Sequence, residues 1–159
     1  MSVAFTKEED SESAAAALPD RPISPHPNLV TPEGLAQLEA ALASAQAAYG
    51  AAQAAGDVRT NREAMSRATR DLRYYAARRA SAQLVGPAGS LERVSFGTTV
   101  TLERDDGRTL TYRIVGEDEA DPALGSVSYI SPLARALLGK ELGETATVGG
   151  HALEVAAIA

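Results

Sequence analysis

From Thr31 to about Leu84 the chain repeats small and apolar residues at alternating steps of three and four, with one interruption at Gly56-Asp57. Leu35, Leu38, Leu42, Ala45, Tyr49 and Ala52 make the first stripe. Met65, Ala68, Leu72, Tyr75 and Ala82 make the second, with Arg79 as the polar intruder. Such steps place every member on one side of an α-helix. Two stripes joined by so short a link predict an antiparallel helical hairpin of coiled-coil type, with Gly56-Asp57 as its tip. Many seam positions are alanine, so the arms approach closely while each contact buries little area. Gly50 and Gly56 weaken the distal end further, which predicts a hairpin that frays at its tip.

The flanking residues set the boundaries. Thr31 is suited to cap the first helix, and Pro32 to occupy its first turn, where a missing N–H costs nothing. The first arm runs to about Ala54, and the hairpin occupies residues 31–85. Gly86-Pro87-Ala88-Gly89 ends the second arm and opens a linker over 86–90. Residues 1–28 are acidic, serine-containing and proline-rich, a composition that buries little and predicts a disordered tail. From 91 to 159 the pattern changes to strands: Val94 to Leu102, a turn at Asp105-Asp106-Gly107, and a return strand over Thr109 to Val115. An extended Ser126 to Ile130 follows. Ser131-Pro132 then caps a short helix over Leu133 to Leu138, and a last strand pair turns at Gly149-Gly150. The fold class is α+β, a helical hairpin followed by a small module in which one helix covers a sheet.

Charge is unevenly spread beneath the net value of −6. Residues 57–84 carry seven arginines against Asp57, Glu63 and Asp71, whereas residues 86–159 carry six basic and eleven acidic groups. One basic strip on an acidic protein lacks the broad positive footprint that wrapping duplex DNA requires. It suffices to steer docking on an acidic or phosphate-bearing partner, and it equally serves as a solvated face. The chain has no cysteine, and His26 and His151 are far apart with no ligand-spaced partner, so no stably bound metal is expected. No apolar run is long enough for a membrane span. Ser131 has no histidine placed to activate it, and capping accounts for it. No Gly-rich phosphate loop accompanies these residues, so independent enzymatic activity is not expected.

Three ordered motifs near the C-terminus carry a family resemblance: Val94-Ser95-Phe96-Gly97-Thr98-Thr99-Val100-Thr101-Leu102, Tyr112-Arg113-Ile114-Val115-Gly116, and Tyr129-Ile130-Ser131-Pro132-Leu133-Ala134-Arg135-Ala136-Leu137-Leu138-Gly139-Lys140. Together they closely resemble the C-terminal domain of the bacterial transcript cleavage factors, the GreA/GreB family. Thr31-Pro32-Glu33-Gly34 with Leu38 is similar to the family's opening of its hairpin, so the likeness covers residues 31–159. The resemblance implies an FKBP-like C-terminal domain that docks on RNA polymerase, with Tyr129, Ser131, Pro132, Arg135 and Lys140 as docking candidates. It also implies a hairpin that enters the polymerase secondary channel, with Arg73, Arg78 and Arg79 as candidates for channel contact. The implied partner is bacterial RNA polymerase core or its elongation complex, with nascent RNA met only indirectly. A cytoplasmic, monomeric protein is the corresponding expectation.

The tip decides how far that likeness extends to chemistry. Carboxylates delivered beside a loosely held polymerase magnesium ion can retain the ion and orient water. The ion belongs to the polymerase, and no cofactor is intrinsic to this chain. On the family's tip pattern, Gly56 and Asp57 match the glycine and the first acid, and Asn61 matches the asparagine. Thr60 stands where a second acid belongs; Glu63 is acidic but three positions later. Beside typical relatives each arm is shorter by roughly two helical turns, or about 10 Å of reach. The leading reading is a polymerase-binding regulator of elongation; beside it stand an accessory factor that assists RNA hydrolysis through Asp57, and a non-cleaving channel occupant that inhibits or competes with true cleavage factors.

Overall fold

The computed structural model describes residues 18–55 and 58–159; residues 1–17 and the Gly56-Asp57 turn lie outside the described residues. Helix α1 spans Pro32–Ala54 and helix α2 spans Val58–Ser81. Glu39 near the start of α1 pairs with Arg79 near the end of α2 at 3.0 Å. At the other end the Asn61 side-chain amide donates to the Ala55 carbonyl at 3.1 Å. The two helices are therefore antiparallel, and the hairpin read from the heptad-like spacing is present. Along its seam Leu38, Ala45, Ala52 and Ala68 are buried, while Leu42, Tyr49, Met65, Leu72 and Tyr75 are half-buried.

One seam position differs from expectation. Arg78 is buried, with 2% exposure, whereas Arg79 keeps 42% of its side chain exposed and reaches Glu39. After Tyr75 the stripe continues by a step of three rather than four, and both steps are compatible with one helix face. The buried intruder is Arg78.

The chain forms two compact units: residues 18–26 with Leu38–Ser81, and Pro27–Gln37 with Ala82–Ala159. In the second, β1 (Leu29–Val30) pairs in parallel with β2 (Gln83–Leu84). The second arm was expected to stay helical to about residue 84, but α2 ends at Ser81 and this pairing takes up the residues beyond it. The Gln83 amide donates to the Asn28 carbonyl at 2.8 Å, and the Val85 amide to the Val30 carbonyl at 2.9 Å. Asn28 is buried, so the expected loose tail does not extend to that residue.

The main sheet has the order β5-β4-β3-β7-β6, from β3 (Thr99–Arg104), β4 (Thr109–Val115), β5 (Ser126–Ser128), β6 (Thr145–Val148) and β7 (His151–Ile158). Its pairs are antiparallel except β4 with β5. Val100, Leu102, Ile114, Leu153 and Val155 point into one core with Val94, Val127 and Ala146, as the two-residue period of a half-buried sheet requires. Helix α3 (Pro132–Leu137) closes that core with Ala134 and Leu137. The first strand is shorter than its alternation suggested, because residues 95–98 form a turn. Gly97 adopts φ +86°, and the Thr98 hydroxyl donates to the Ser95 carbonyl at 2.7 Å. A left-handed glycine ends the extended run that the apolar pattern alone would continue.

Candidate functional site

The candidate residues fall into a set on the hairpin and a set around α3. On the hairpin, Gly56 and Asp57 lie outside the described residues, and Thr60 is placed only as a position in the first turn of α2. Asn61 closes the end of α1 through Ala55, and its Oδ1 is buried with no hydrogen-bond partner among the described residues. Glu63 is engaged with Arg67 one turn later at 2.7 Å, in the acid-before-base order that suits a helix. Its carboxylate is thus drawn along the helix by a cation.

The arginine strip is more neutralised than its count suggests. Arg73 pairs with Asp20 at 3.2 Å, and Arg79 places two nitrogens 3.0 and 3.1 Å from one Glu39 oxygen. Asp71 is shared between Arg21 at 3.6 Å and Arg70 at 3.8 Å. Of the three proposed channel contacts, Arg73 and Arg79 are exposed at least in part, whereas burial withdraws Arg78 from any such surface. Arg21 also stands over Tyr74, with Cζ 3.8 Å from the ring centroid. A hydrogen bond to Tyr75 holds its guanidinium above its ordinary range, against the cost of partial burial. Nothing in residue spacing signalled this contact, because it joins a proline-rich segment to a helix some fifty positions on.

Around α3 the local chemistry follows from the Ser131-Pro132 pair. The Ser131 hydroxyl accepts from the Ala134 amide at 3.2 Å, and Pro132 fills the first helical position. That cap fixes the start of a helix whose buried side carries Ala134 and Leu137. Pro132, Arg135 and Leu138, three residues apart, are exposed on the other side. Leu142, 58% exposed, lies just beyond. Lys140 is half-buried, and its carbonyl accepts from the Val94 amide at 2.8 Å. Tyr129 is taken up internally: its ring meets Phe96 edge to face at 5.7 Å, and its hydroxyl donates to the Pro27 carbonyl. Of the five docking candidates, Pro132 and Arg135 therefore form an open surface, while Tyr129 and Ser131 are held by structural contacts. The exposed Leu138 and Leu142 were missed, since apolar residues around a short helix read as core.

The same unit grips the start of α1. The Thr31 hydroxyl donates to Glu119 at 2.6 Å and accepts from the Gly34 amide at 3.0 Å. Arg113 reaches Glu33 at 3.4 Å and donates to the Gly97 carbonyl at 3.2 Å. Glu33 lies below the usual carboxylate range, first through its own backbone N–H and then through the Arg113 charge. Gly34 and Gly116 permit this packing, since a Cβ at Gly116 would lie 2.3 Å from the Leu29 carbonyl oxygen. Among the described residues, no group of three or more histidine or acidic side chains could hold a metal ion. No described helix is long and apolar enough to cross a membrane.

Comparison with known proteins gives this architecture its class. The family described as "Transcription elongation factor, GreA/GreB, C-term" matches residues 80–158. The transcription elongation factor GreA of Desulfovibrio desulfuricans is 38% identical over 135 residues, covering 80% of this chain and 83% of that protein. The chain belongs to the GreA/GreB family of transcription elongation factors. A shorter and stronger match, 51% over 72 residues, joins it to the GreA of Ralstonia nicotianae, covering 43% of this chain and 46% of that protein. The chain thus matches about half the length of that relative. Among solved structures, GreA factor homolog 1 of Thermus thermophilus aligns over 84% of this chain and 99% of its own, with 20% identity and a TM-score of 0.41.

Proposed function

We propose that the chain is an RNA polymerase-binding regulator of transcription elongation, docking through the exposed side of α3 and presenting its hairpin to the secondary channel. The observation that carries this reading is the relationship to a GreA protein over 80% of this chain and 83% of that protein. Pro132, Arg135, Leu138 and Leu142 supply what a protein interface uses: exposed apolar side chains beside a cation. Arg73 and Arg79 remain the hairpin's candidates for contact with the channel. In this reading the chain is an accessory to the polymerase, whose magnesium performs any hydrolysis. Crosslinking to core RNA polymerase tests it: the chain should crosslink specifically through the α3 surface. Absence of specific association would overturn the proposal.

A second reading, a non-cleaving occupant that competes with true cleavage factors, is favoured by the state of the acids near the tip. Thr60 is neutral at the second acidic position, and the nearby Glu63 is paired with Arg67. Asp57 is left as the one matching acid. A backtracked-RNA assay with and without a cleavage factor separates the readings. The accessory reading requires Asp57→Ala to lower the cleavage rate. The competitor reading requires equal rates for the two chains and displacement of the added factor.

A further inference from the structure

Residues 18–26 include Pro19, Pro22 and Pro25 and form neither helix nor strand, in keeping with the extended habit of proline-rich segments. Two consecutive side chains tie them to one turn of α2. Asp20 meets Arg73 at 3.2 Å. Arg21 meets Asp71 at 3.6 Å and stands 3.8 Å and 5.2 Å from the ring centroids of Tyr74 and Tyr75. The rings are 5.2 Å apart and nearly perpendicular, at 80°, so they offer the guanidinium two differently oriented aromatic surfaces beside a carboxylate. The acid-then-base order of the segment is complementary to Asp71 and Arg73 on the helix.

The contacts that give this hold its specificity are ion pairs and a cation over aromatic rings. Among the described residues, 18–26 make no backbone–backbone hydrogen bond to α2, and Leu18 and Ile23 stay 37% and 48% exposed. Partly exposed ion pairs and a cation over an aromatic ring are individually modest, and salt screens the ion pairs. The contact is specific in its partners yet weak enough to be exchanged.

We propose that Asp71, Tyr74 and Tyr75 form an arginine-accepting surface on α2 that Arg21 occupies in cis, making residues 18–26 a displaceable strap over this face of the hairpin. While the strap is seated, Arg73 is neutralised by Asp20 and the tyrosine pair is covered. Release uncovers a cation and two aromatic rings for a partner. The role assigned to release rests on the polymerase-binding reading above; the seating of the strap does not.

The chain has no cysteine, so Leu18→Cys gives a single site for a spin label. Amide signals of residues 71–78 should broaden at low salt, and the broadening should disappear in an added Arg21→Ala variant or at high salt. Broadening that appears only between labelled and unlabelled chains would place the strap on a second copy and overturn the assignment in cis, and no broadening would overturn the surface itself. Arg21→Ala should also raise the affinity for core polymerase by about fivefold, as release of a mostly closed state predicts. Broadening with unchanged affinity would overturn the gating role. Loss of polymerase binding in both chains would overturn the functional reading and the gate together, while the broadening experiment still decides whether the strap is seated.

Discussion

The hairpin and the sheet domain are held by different means. Leu102, Ile114, Leu137, Val100 and Val155 are at most 1% exposed and interlock across a sheet and a helix. In the hairpin three of the four buried seam residues between Leu38 and Ala68 are alanines, and ion pairs such as Glu39 with Arg79 lie along its flank. Close-packed branched side chains strongly resist substitution, whereas an alanine seam gives close approach with little buried area. The sheet domain is built to keep a surface in shape. The hairpin is built to be thin.

The largest expected effect tests the first half of that contrast. Leu102→Ala removes a fully buried side chain and should cost about 2–5 kcal/mol in denaturant unfolding of the sheet domain. A loss no larger than that of an exposed residue would break the comparison. Gly116→Ala comes next, because the new Cβ would meet the Leu29 carbonyl oxygen at 2.3 Å. Backbone must move, so a loss of about 1–3 kcal/mol and faster hydrogen exchange around β1 are expected. In the hairpin, Ala45→Gly should cost about 1 kcal/mol through helix propensity. Its faster amide exchange should be confined to α1 and α2, and equal acceleration in β3 and β4 would contradict a separate hairpin.

Acid has the smallest effect, and its sign follows from the lowered carboxyls. Asp105 is held below the usual range by a hydrogen bond from His151 and then by the Ala152 amide. Asp106 is lowered chiefly by Arg104, and Glu33 by its backbone N–H and Arg113. Each contributes stability that is present above the unfolded carboxyl value, near about pH 4, and is lost as pH falls through the lower folded value. All three belong to the unit containing the sheet, so its melting temperature should fall below that pH. A sheet domain that becomes more stable on acidification would contradict the assignment.

What was legible in the sequence was local. Thr109–Val115 follows a turn rich in acid and glycine, and Ser131-Pro132 is a complete cap, so both elements were read closely. The pairing of Leu29–Val30 with Gln83–Leu84 was hidden because it spans more than fifty residues with two residues a side. Val94–Thr98 alternates like a strand, yet one left-handed glycine turns it. Within the candidate site, the family resemblance named Arg135 and Pro132, which are open, together with Tyr129, whose hydroxyl and ring are already engaged. Arg21 on Tyr74 had no local signature at all. Its partners are assembled by folding, and neither segment alone carries the complementary charge and aromatic surface.

Equilibrium binding to core RNA polymerase, measured in parallel for the unaltered chain, Arg135→Glu and Asp57→Ala, tests the central claim most directly. The account predicts saturable binding, a loss of roughly tenfold or more in Arg135→Glu because the reversed charge lies in the docking surface, and unchanged binding in Asp57→Ala. No saturable binding, or equal affinity for Arg135→Glu and the unaltered chain, would contradict docking through the exposed side of α3.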